Sequence, residues 1–473
     1  MRDVTVQTRA PANVVLDVDS SAVRRSSALV LFLVFAWLVV LLQRNHHHPD
    51  WQAGGRLAWS LAILVTVALI CRGIFLGRPV TAAHAAAASA ALLAGLGAHL
   101  LSFDLLGNVM IASAGWVLTW PTSARLRHDE LPRVWALVDA THGDPLAPFA
   151  MQSRKSAFFN ADGTAMLAYR TRAGFAVVSG DPIGDATRFR ELVEDFTATC
   201  HARGWRIVVL GCSEKRLGLW DGRIRPALRA VPFGRDVVID VARFDMVGRK
   251  YRNLRQAVQR TRNTGVSTEV VAEGDLDDAT RAELIDVLYA SHAGVRTERG
   301  FSMILDGALE GRYPGVLLAI ARDRSGRVQA FHRYAMAGGG NDVSLDVPWR
   351  RPGAPNGIDE RLSVDMVAWA RAHGARRLSL AFAAFPEIFD DRDRGPVQRI
   401  FYVLIHLGDS LIRLESLYRY LAKYHALGER RYVLLSLRHV VPALFVLLTL
   451  EFTPHRRRLP LRADSERRDP RAA

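Results

Sequence analysis

Cysteine is scarce in this chain of 473 residues. The three cysteines, Cys71, Cys200 and Cys212, include no Cys-x-x-Cys pair. Their scatter argues against a disulfide scaffold and a cysteine-based zinc site, and it indicates a reducing compartment for the soluble part of the chain. We expect the three thiols to be buried and to pack as small apolar side chains.

Motifs of ATP binding and of covalent acyl transfer are also missing. No Gly-x-x-x-x-Gly-Lys-Ser/Thr loop is present, so the sequence offers no P-loop for a nucleotide. It contains neither a Gly-x-Ser-x-Gly elbow nor a suitable arrangement of cysteine with histidine. Their absence favours direct attack by a substrate hydroxyl over a covalent enzyme intermediate.

Negative charge is in deficit. Lysine and arginine number 62 against 47 aspartates and glutamates, which gives a formal net charge of +15, and nearly all of the cations are arginine. Such a chain is attracted to phosphate, either on nucleic acid or on an anionic membrane surface. The length allows two or three domains, each with its own core.

Four long apolar runs occupy residues 27–42, 57–76, 80–101 and 103–120. Each approaches the roughly 20 residues that a helix needs to cross a bilayer core. We predict a cytoplasmic tail over residues 1–26 and four transmembrane helices within residues 27–120. The arginines that flank the runs place everything after residue 120 in the cytoplasm, so we expect a multi-pass protein of the inner or plasma membrane.

A last apolar run, at residues 440–452, is too short to span comfortably and contains Pro442. Three arginines at 456–458 follow it. We predict an interfacial helix within residues 436–455 and a disordered basic tail over residues 456–473.

Between these apolar regions, strands and helices alternate in an order that occurs twice. In each half, two paired strands are followed by a loop rich in glycine and proline, a helix and a short buried strand. The helices cover residues 188–204 and 359–374, and each ends at a glycine. We predict a duplicated α/β unit with halves at residues 131–245 and 246–435.

This order of elements is similar to that of the N-acyltransferase (GNAT) fold, and we predict a tandem GNAT-like α/β domain after the membrane region. The loop before the second helix aims backbone N–H groups at an anion. It reads Arg350-Arg351-Pro352-Gly353 followed by Ala-Pro, which departs from the pyrophosphate-binding pattern. A coenzyme A dependent acyltransferase therefore stays an alternative.

A basic stretch, GRKYRNLRQAVQRTRNTG at residues 248–265, links the two halves. Its helical spacing gives an apolar stripe of Val247, Tyr251, Leu254 and Val258. Beside this stripe we predict a face that binds phosphate of tRNA or lipid, formed by Arg249, Lys250, Arg252, Arg255 and Arg260. Acidic partners are nearly absent from the stretch, so the helix does not neutralise this face itself.

Five motifs occur in a fixed order, at residues 180–185 (GDPIGD), 248–265, 298–303 (ERGFSM), 344–362 and 416–435. Together they resemble the catalytic domain of the phosphatidylglycerol lysyltransferases, also called multiple peptide resistance factors. The resemblance covers roughly residues 131–435.

The resemblance implies a membrane-bound enzyme that moves an aminoacyl group from aminoacyl-tRNA to a lipid hydroxyl. Such transfer reduces the negative charge of the membrane and gives resistance to cationic antimicrobial peptides. The implied partners are aminoacyl-tRNA, an anionic lipid such as phosphatidylglycerol, and a separate flippase. No cofactor is expected besides the aminoacyl-tRNA co-substrate.

Transfer between two hydroxyl groups requires a proton acceptor and a stabilised oxyanion. We predict Asp346 as the base or as the anchor of a substrate ammonium, with Glu360 as a second carboxylate. Arg350 and Arg351 would contact phosphate or the oxyanion. Lys423 and Arg431 would contact lipid or tRNA phosphate, or else be solvated. The substrate loops would include Asp181, Gly184, Phe301, Ser302, Asn356 and Gly357, and no metal ligand is expected.

Several positions depart from the family pattern. The family has Asp-Leu-Met-Arg where this chain has Asp346-Val-Pro-Trp349, and Gly-Val-Met-Asp where it has Gly357-Ile-Asp-Glu360. These departures leave the transferred amino acid open. They also leave a third functional class possible, a catalytically altered membrane module that binds RNA or anionic lipid.

Overall fold

The computed structural model describes residues 14–16, scattered positions between 25 and 40, and residues 52–75, 80–121, 123–124, 128–221, 227–292, 301, 303–384 and 417–452. By its contacts the chain divides into two units. One comprises residues 1–124 with 171–176 and 195–207, and the other comprises the rest. The predicted disordered tail at 456–473 lies outside the described residues.

The first unit contains three apolar helices, α1 (Gln52–Phe75), α2 (Ala82–Leu100) and α3 (Asp104–Leu118). A short antiparallel pair, β1 (Val14–Leu16) and β2 (Val80–Thr81), joins the tail to the start of α2. Glycines at the contact between α2 and α3 allow close approach, because a Cβ on Gly107 would lie 2.9 Å from the Gly95 carbonyl oxygen. Large side chains such as Leu93 and Leu105 remain exposed.

These three helices coincide with the second, third and fourth predicted apolar runs. Among the described residues only Ala82–Leu100 is both long and apolar enough to cross a membrane. The apolar stretches Leu61–Arg72 and Asp104–Leu118 are shorter. The first predicted run, 27–42, lies mostly outside the described residues, so the four-span arrangement stays a prediction.

A sheet of twelve strands has most of its residues in the second unit. After β2 these are β3 (Ser156–Phe159), β4 (Ala165–Arg172), β5 (Phe175–Ser179), β6 (Ile183–Gly184), β7 (Arg206–Ser213), β8 (Arg229–Asp240), β9 (Ser267–Ala272), β10 (Val316–Arg322), β11 (Val328–Ala337), β12 (Asp342–Arg350), β13 (Arg377–Ala384) and β14 (Leu427–Leu435). The described helices after α3 are α4 (Leu131–Asp139), α5 (Phe189–Ala202), α6 (Arg252–Asn263), α7 (Asp278–His292), α8 (Ile358–Ala372) and α9 (Val440–Phe452).

The structure contains the strands and helices that were predicted for the two halves. The strands, the helix and the closing strand of the first half correspond to β4, β5, α5 and β7, and those of the second half to β11, β12, α8 and β13. Gly204 and Gly374, the predicted helix-ending glycines, both have positive φ, at 63° and 79°. Only a residue without a Cβ takes this conformation at little cost.

The strand order β3-β4-β5-β7-β14-β8-β13-β12-β11-β10-β9 shows that the halves exchange strands. β8, which closes the first half, pairs with β13, whereas β14, from the end of the chain, lies between β7 and β8. Within the second half, β12 and β13 are parallel and pair only over residues 342–344 and 377–379. Beyond Ser344 and Ser379 the two strands no longer pair with each other.

Helices α6 and α8 cover one face of the second half. Leu254 and Val258 of α6 and Leu362 of α8 are buried in one cluster with β10 to β13. The predicted apolar stripe of the basic helix is confirmed for Tyr251, Leu254 and Val258. It is wrong for Val247, which is exposed because the helix begins only after the turn Arg249–Tyr251.

Candidate functional site

A buried cluster of four charged residues lies where the exchanged strands meet. Arg431 of β14 contacts three carboxylates: Nη2 lies 2.8 Å from Asp144 Oδ1, Nη1 lies 3.3 Å from Asp181 Oδ2, and Nε lies 2.7 Å from Asp236 Oδ2. Nη1 also donates to the Gly211 carbonyl oxygen at 3.0 Å. The cluster therefore joins β14 to β7, to β8 and to the loops that carry Asp144 and Asp181.

The cluster contains more negative than positive charge. Burial lowers the pKa of the Arg431 guanidinium, but the three carboxylates outweigh it and raise that pKa. Burial raises the pKa of Asp236 to about 6, against the opposing effect of Arg431. Burial and then Asp144 raise the pKa of Asp181. The carboxylates therefore lack enough cations to offset the loss of hydration.

This placement corrects the prediction for Arg431. A guanidinium that is 2% exposed and bonded to three carboxylates is not available to tRNA or lipid phosphate. Asp181 also has a structural contact, since its Oδ1 accepts a hydrogen bond from the Ser213 backbone N–H at 2.9 Å.

A cavity of about 190 Å³ adjoins the cluster. It lies among β8, β12, β13, β14 and the loop after α4. Its polar lining consists of Asp236, Asp342, Ser344, Arg377, Ser379 and Glu429. The sequence analysis assigned a role to none of these residues, although Ser344 and Glu429 lie within the motifs at 344–362 and 416–435.

Asp346 belongs to a second buried ion cluster, on β11 and β12. Its Oδ2 lies 3.0 Å from Arg333 Nη1, and its Oδ1 accepts from the Leu305 backbone N–H at 2.9 Å. Arg333 also contacts Glu273, with Nη2 at 2.8 Å from Oε2. The Asp346 and Arg333 side chains are fully buried. The prediction of Asp346 as a base or substrate anchor is therefore corrected, because both of its carboxylate oxygens are bonded to other groups of the folded chain.

The other predicted site residues, Glu360, Arg350 and Arg351, lie in or near the start of α8. Glu360 Oε1 accepts from Lys423 Nζ at 2.6 Å, and Lys423 is thus paired rather than merely solvated. Arg350 Nη1 lies 3.0 Å from Asp359 Oδ2 and remains largely exposed. Arg351 instead donates through Nε to the Val328 carbonyl oxygen at 2.9 Å. Arg350, at the end of β12, therefore remains accessible beside the N-terminus of α8, whereas Glu360 is buried in the first turn of that helix.

Asp359 connects this edge to a buried histidine that the sequence analysis missed. His332 Nε2 lies 3.2 Å from Asp359 Oδ1, and His332 Nδ1 lies 3.2 Å from the Tyr334 hydroxyl. Burial raises the pKa of Asp359, but the contacts with His332 and Arg350 outweigh burial and hold that pKa below its usual range. The alternation of His332 and Tyr334 along β11 was the available signal, since it puts both on one face.

The basic helix presents only part of its predicted face. Arg249, Arg252 and Arg260 are exposed and have no carboxylate partner among the described residues. Arg255 is exposed too, but its Nη1 donates to the carbonyl oxygens of Met246 at 2.5 Å and Gly248 at 2.8 Å. Arg255 therefore holds the turn before α6 through Nη1, and its assignment as a phosphate contact stays a prediction. Lys250 is exposed, with Nζ 4.8 Å from the centre of the Tyr251 ring.

The remaining predicted loop residues are placed as follows. Gly184 lies in β6 with φ +100° and donates its N–H to Thr141 Oγ1 at 2.9 Å. Phe301 is buried, Asn356 is exposed, and Ser302 lies outside the described residues. Gly357 begins α8 with φ +97°, and a Cβ there would lie 2.7 Å from the Ala257 carbonyl oxygen of α6. Glycine at this position thus allows the two helices to approach.

A buried lysine was also missed. Lys155 Nζ donates to the Phe149 carbonyl oxygen and to Ser179 Oγ, both at 2.8 Å. It lies 5.1 Å from the centre of the Phe301 ring, next to two of the sequence motifs. Burial lowers the pKa of Lys155 to about 7, despite the charges of Glu451 and Asp306.

All three cysteines are free and buried, which confirms their predicted packing. Among the described residues, no group of three His, Cys, Asp or Glu side chains is arranged to hold a metal ion.

The duplicated strand order, with its parallel β12 and β13 pair, defines the class as a tandem N-acyltransferase fold. Solved structures support the fold. The structure of L-PGS from Bacillus licheniformis matches with a TM-score of 0.58 at 18% identity, over 69% of this chain and 98% of that one. A C-terminal domain (DUF2156) from Agrobacterium fabrum gives 0.59 at 22% identity, over 70% of this chain and 99% of that one.

The chain belongs to the family described as phosphatidylglycerol lysyltransferase, C-terminal, whose model matches residues 135–435. It is 62% identical to the MprF-like domain protein Rv1619 of Mycobacterium tuberculosis, over 97% of this chain and 95% of that protein. It is 32% identical to the lysylphosphatidylglycerol biosynthesis bifunctional protein LysX of Rhodococcus jostii, over 59% of this chain. The matched segment is 25% of the LysX length.

Membership confirms the family resemblance and the assignment to the aminoacyltransferases. The two alternatives, a coenzyme A dependent acyltransferase and a non-catalytic binding module, are not favoured by these findings.

Proposed function

We propose that the chain transfers an aminoacyl group from aminoacyl-tRNA to a hydroxyl group of phosphatidylglycerol at the cytoplasmic face of the inner membrane. The family match over residues 135–435 carries this proposal. One ester is exchanged for another, so the reaction is nearly neutral in energy and calls for no ATP. The names of the LysX relatives point to lysine, while the departures after Asp346 leave other amino acids open.

The exposed arginines of the basic helix are the proposed tRNA contact. Arg249, Arg252 and Arg260 carry positive charge without a described carboxylate partner, so phosphate does not have to displace an ion pair. Each phosphate contact releases counterions, which makes binding sensitive to salt. Lys250 adds a fourth exposed cation beside them.

Helix α9 and the N-terminal helices are proposed to contact the lipid. Ala443, Val446 and Leu450 of α9 are buried, whereas Val441, Leu444, Phe445 and Leu448 are exposed. An apolar face left exposed on a short helix fits insertion into the membrane interface. The exposed leucines of α2 and α3 fit lipid contact in the proposed multi-pass region.

The start of α8 is the proposed place of the chemistry in the second half. Glu360 is the proposed second carboxylate, and Arg350 is the proposed phosphate or oxyanion contact. Glu360 lies in the first turn of α8, whose dipole favours negative charge, and Arg350 at the end of β12 reaches that turn through Asp359. Asp346 has a positioning role here, because it orients Arg333 and the backbone at Leu305.

Transfer itself is tested with the full chain in detergent, supplied with a mixture of charged tRNAs and phosphatidylglycerol, and with lipid extracts of expressing cells. We expect a new aminoacylated lipid. Glu360→Gln should reduce its formation by about tenfold or more. Glu283→Gln, at an exposed ion pair with Arg322, is the matched control and should leave it unchanged. If no aminoacylated lipid forms in either assay, the proposed function is refuted.

The tRNA contact is tested separately by binding at several salt concentrations. Alanine at Arg249, Arg252 and Arg260 together should weaken tRNA binding and reduce the slope of log affinity against log salt by about two to three. The control replaces three exposed arginines elsewhere, Arg190, Arg327 and Arg376. Equal affinity and slope in the helix variant and the wild type would refute this role for α6.

A further inference from the structure

A buried histidine, a carboxylate and an exposed arginine are linked in sequence at the start of α8. His332 of β11 and Arg350 of β12 share one face of the sheet, because His332 pairs with Pro348 and successive residues of a strand alternate between faces. The first turn of α8, which carries Asp359, packs on this face. Asp359 Oδ1 lies 3.2 Å from His332 Nε2, and Oδ2 lies 3.0 Å from Arg350 Nη1. Asp359 therefore connects an interior imidazole to a surface guanidinium.

The histidine uses both of its ring nitrogens. Its side chain is 0% exposed, and Nδ1 lies 3.2 Å from the Tyr334 hydroxyl. With the ring proton on Nε2, His332 accepts from Tyr334 and donates to Asp359, so both nitrogens are paired. A buried polar ring costs stability unless it is paired in this way, whereas an apolar side chain would fill the position without that cost. The placement of a histidine here therefore serves the carboxylate rather than the core.

Asp359 is a firmly held partner for Arg350. An ion pair between two mobile surface side chains contributes little, because both lose rotamer freedom when they pair. Here the buried histidine already fixes the carboxylate, whose side chain is only 22% exposed. The Arg350 guanidinium makes no other hydrogen bond within the described part of the chain, and its side chain is 56% exposed. Its remaining N–H donors are therefore available to a ligand.

We propose that His332 and Asp359 are positioning residues, which hold the Arg350 guanidinium in the orientation that receives a negatively charged oxygen of the substrates. This role rests on the proposed function, in which Arg350 contacts that oxygen. A donor that is oriented before the substrate arrives loses less entropy on binding and is in place when charge develops. The oxygen belongs either to the ester in its tetrahedral state or to a phosphate of tRNA or lipid.

The hold on Arg350 is measured without any activity, by the rate at which phenylglyoxal modifies it in the full chain in detergent. Mass spectrometry of the peptide that contains Arg350 gives this rate. An ion pair favours the protonated guanidinium, which does not react, so His332→Leu should raise the rate several-fold. His332→Gln, which keeps an N–H donor in the side chain, should stay near the wild type. Arg190, which is exposed, is the internal control and should react equally in every variant. Equal rates at Arg350 in the wild type and His332→Leu would overturn the proposal.

Asp359→Asn tests the carboxylate at a position that is less buried than His332. It should raise the rate of modification at Arg350 at least as much as His332→Leu does. Asp365→Asn is the matched control, because Asp365 also lies on α8, has the same 22% exposure and pairs with a different arginine, Arg361. That control should leave the rate at Arg350 unchanged. If His332→Leu does not fold, the comparison of these two asparagine variants decides.

The role in transfer is measured with a double-mutant cycle on kcat/KM. Arg350→Gln should lower kcat/KM by about 100-fold and His332→Leu by about tenfold. The double variant should be no worse than Arg350→Gln alone, because orientation matters only while the guanidinium is present. A further loss of about tenfold in the double variant would show independent effects and overturn the positioning role. A fall in kcat alone identifies the ester oxyanion, and a rise in KM for one substrate identifies the phosphate of that substrate.

The outcomes separate the positioning role from the proposed function. If the wild type makes aminoacylated lipid and His332→Leu folds and keeps full kcat/KM, the positioning role is refuted and the transferase activity stands. If Arg350 becomes more reactive in His332→Leu but the wild type makes no aminoacylated lipid, the hold on Arg350 stands and the transferase activity is refuted.

Discussion

Replacing Lys155 with methionine should flatten the dependence of stability on pH above pH 7. Lys155 is buried, and its ammonium is held by the Phe149 carbonyl oxygen and by Ser179 Oγ. Burial is the main cause that lowers its pKa from the ordinary 10.5 to about 7. Methionine has a similar length and no charge, so the variant removes the titration with little change in packing volume.

The sign of the effect follows from proton uptake. Between pH 7 and 10.5 the unfolded chain keeps a proton on Lys155 that the folded chain has lost. Stability therefore rises with pH across this window, by up to about 1.4 kcal/mol per pH unit. Because the folded amine is already half deprotonated at pH 7, the gain from pH 7 to pH 9 is about 2 kcal/mol. For a domain of this size it corresponds to a rise in midpoint on the order of 5 °C.

The assay compares thermal unfolding midpoints of the wild type and Lys155→Met, both as full chains in the same detergent, at pH 7, 8 and 9. Other groups titrate in both proteins, so the difference between the two midpoints isolates Lys155. Lys215→Met, at an exposed lysine, is the matched control and should keep the wild-type slope. If Lys155→Met also keeps that slope, the amine is not buried as described and the reasoning is refuted.

Three further predictions concern the ion cluster, the α6 contact and the membrane face. Asp346→Ala should lower stability by about 3–5 kcal/mol because it leaves Arg333 only partly paired; a normal unfolding midpoint with lost activity would instead favour the base role. Gly357→Ala should destabilise more than Gly353→Ala, by about 1–2 kcal/mol in urea unfolding, since both have positive φ but only Gly357 contacts a neighbouring backbone. A nitroxide on Phe445→Cys should be more accessible to oxygen than to a polar nickel complex in phosphatidylglycerol vesicles, and the opposite ranking would refute interfacial insertion.

Local pattern was sufficient to predict the elements of the second unit. The alternation of apolar residues, the helix-ending glycines Gly204 and Gly374, and the apolar stripe of the basic helix are all properties of short segments. They are set by contacts within one element and its immediate neighbours, so they can be read without knowing the topology.

The ion clusters could not be predicted because their members are distant in sequence. Arg431 and Asp181 are separated by 250 positions and meet only because β14 lies between β7 and β8. The burial of Arg431, however, could have been predicted from the sequence of β14. In β14, Arg431 alternates with exposed Arg430 and shares a face with Val433 and Leu435, which marks it as buried.

The exchange of strands explains why an excess of buried carboxylates can persist at the junction. β14 and β8 each belong to one half in sequence and pair with the other in space, so Arg431 is the guanidinium that ties both strands to the loops of Asp144 and Asp181. Two of the three carboxylates have raised pKa values, which shows that their ionisation opposes folding.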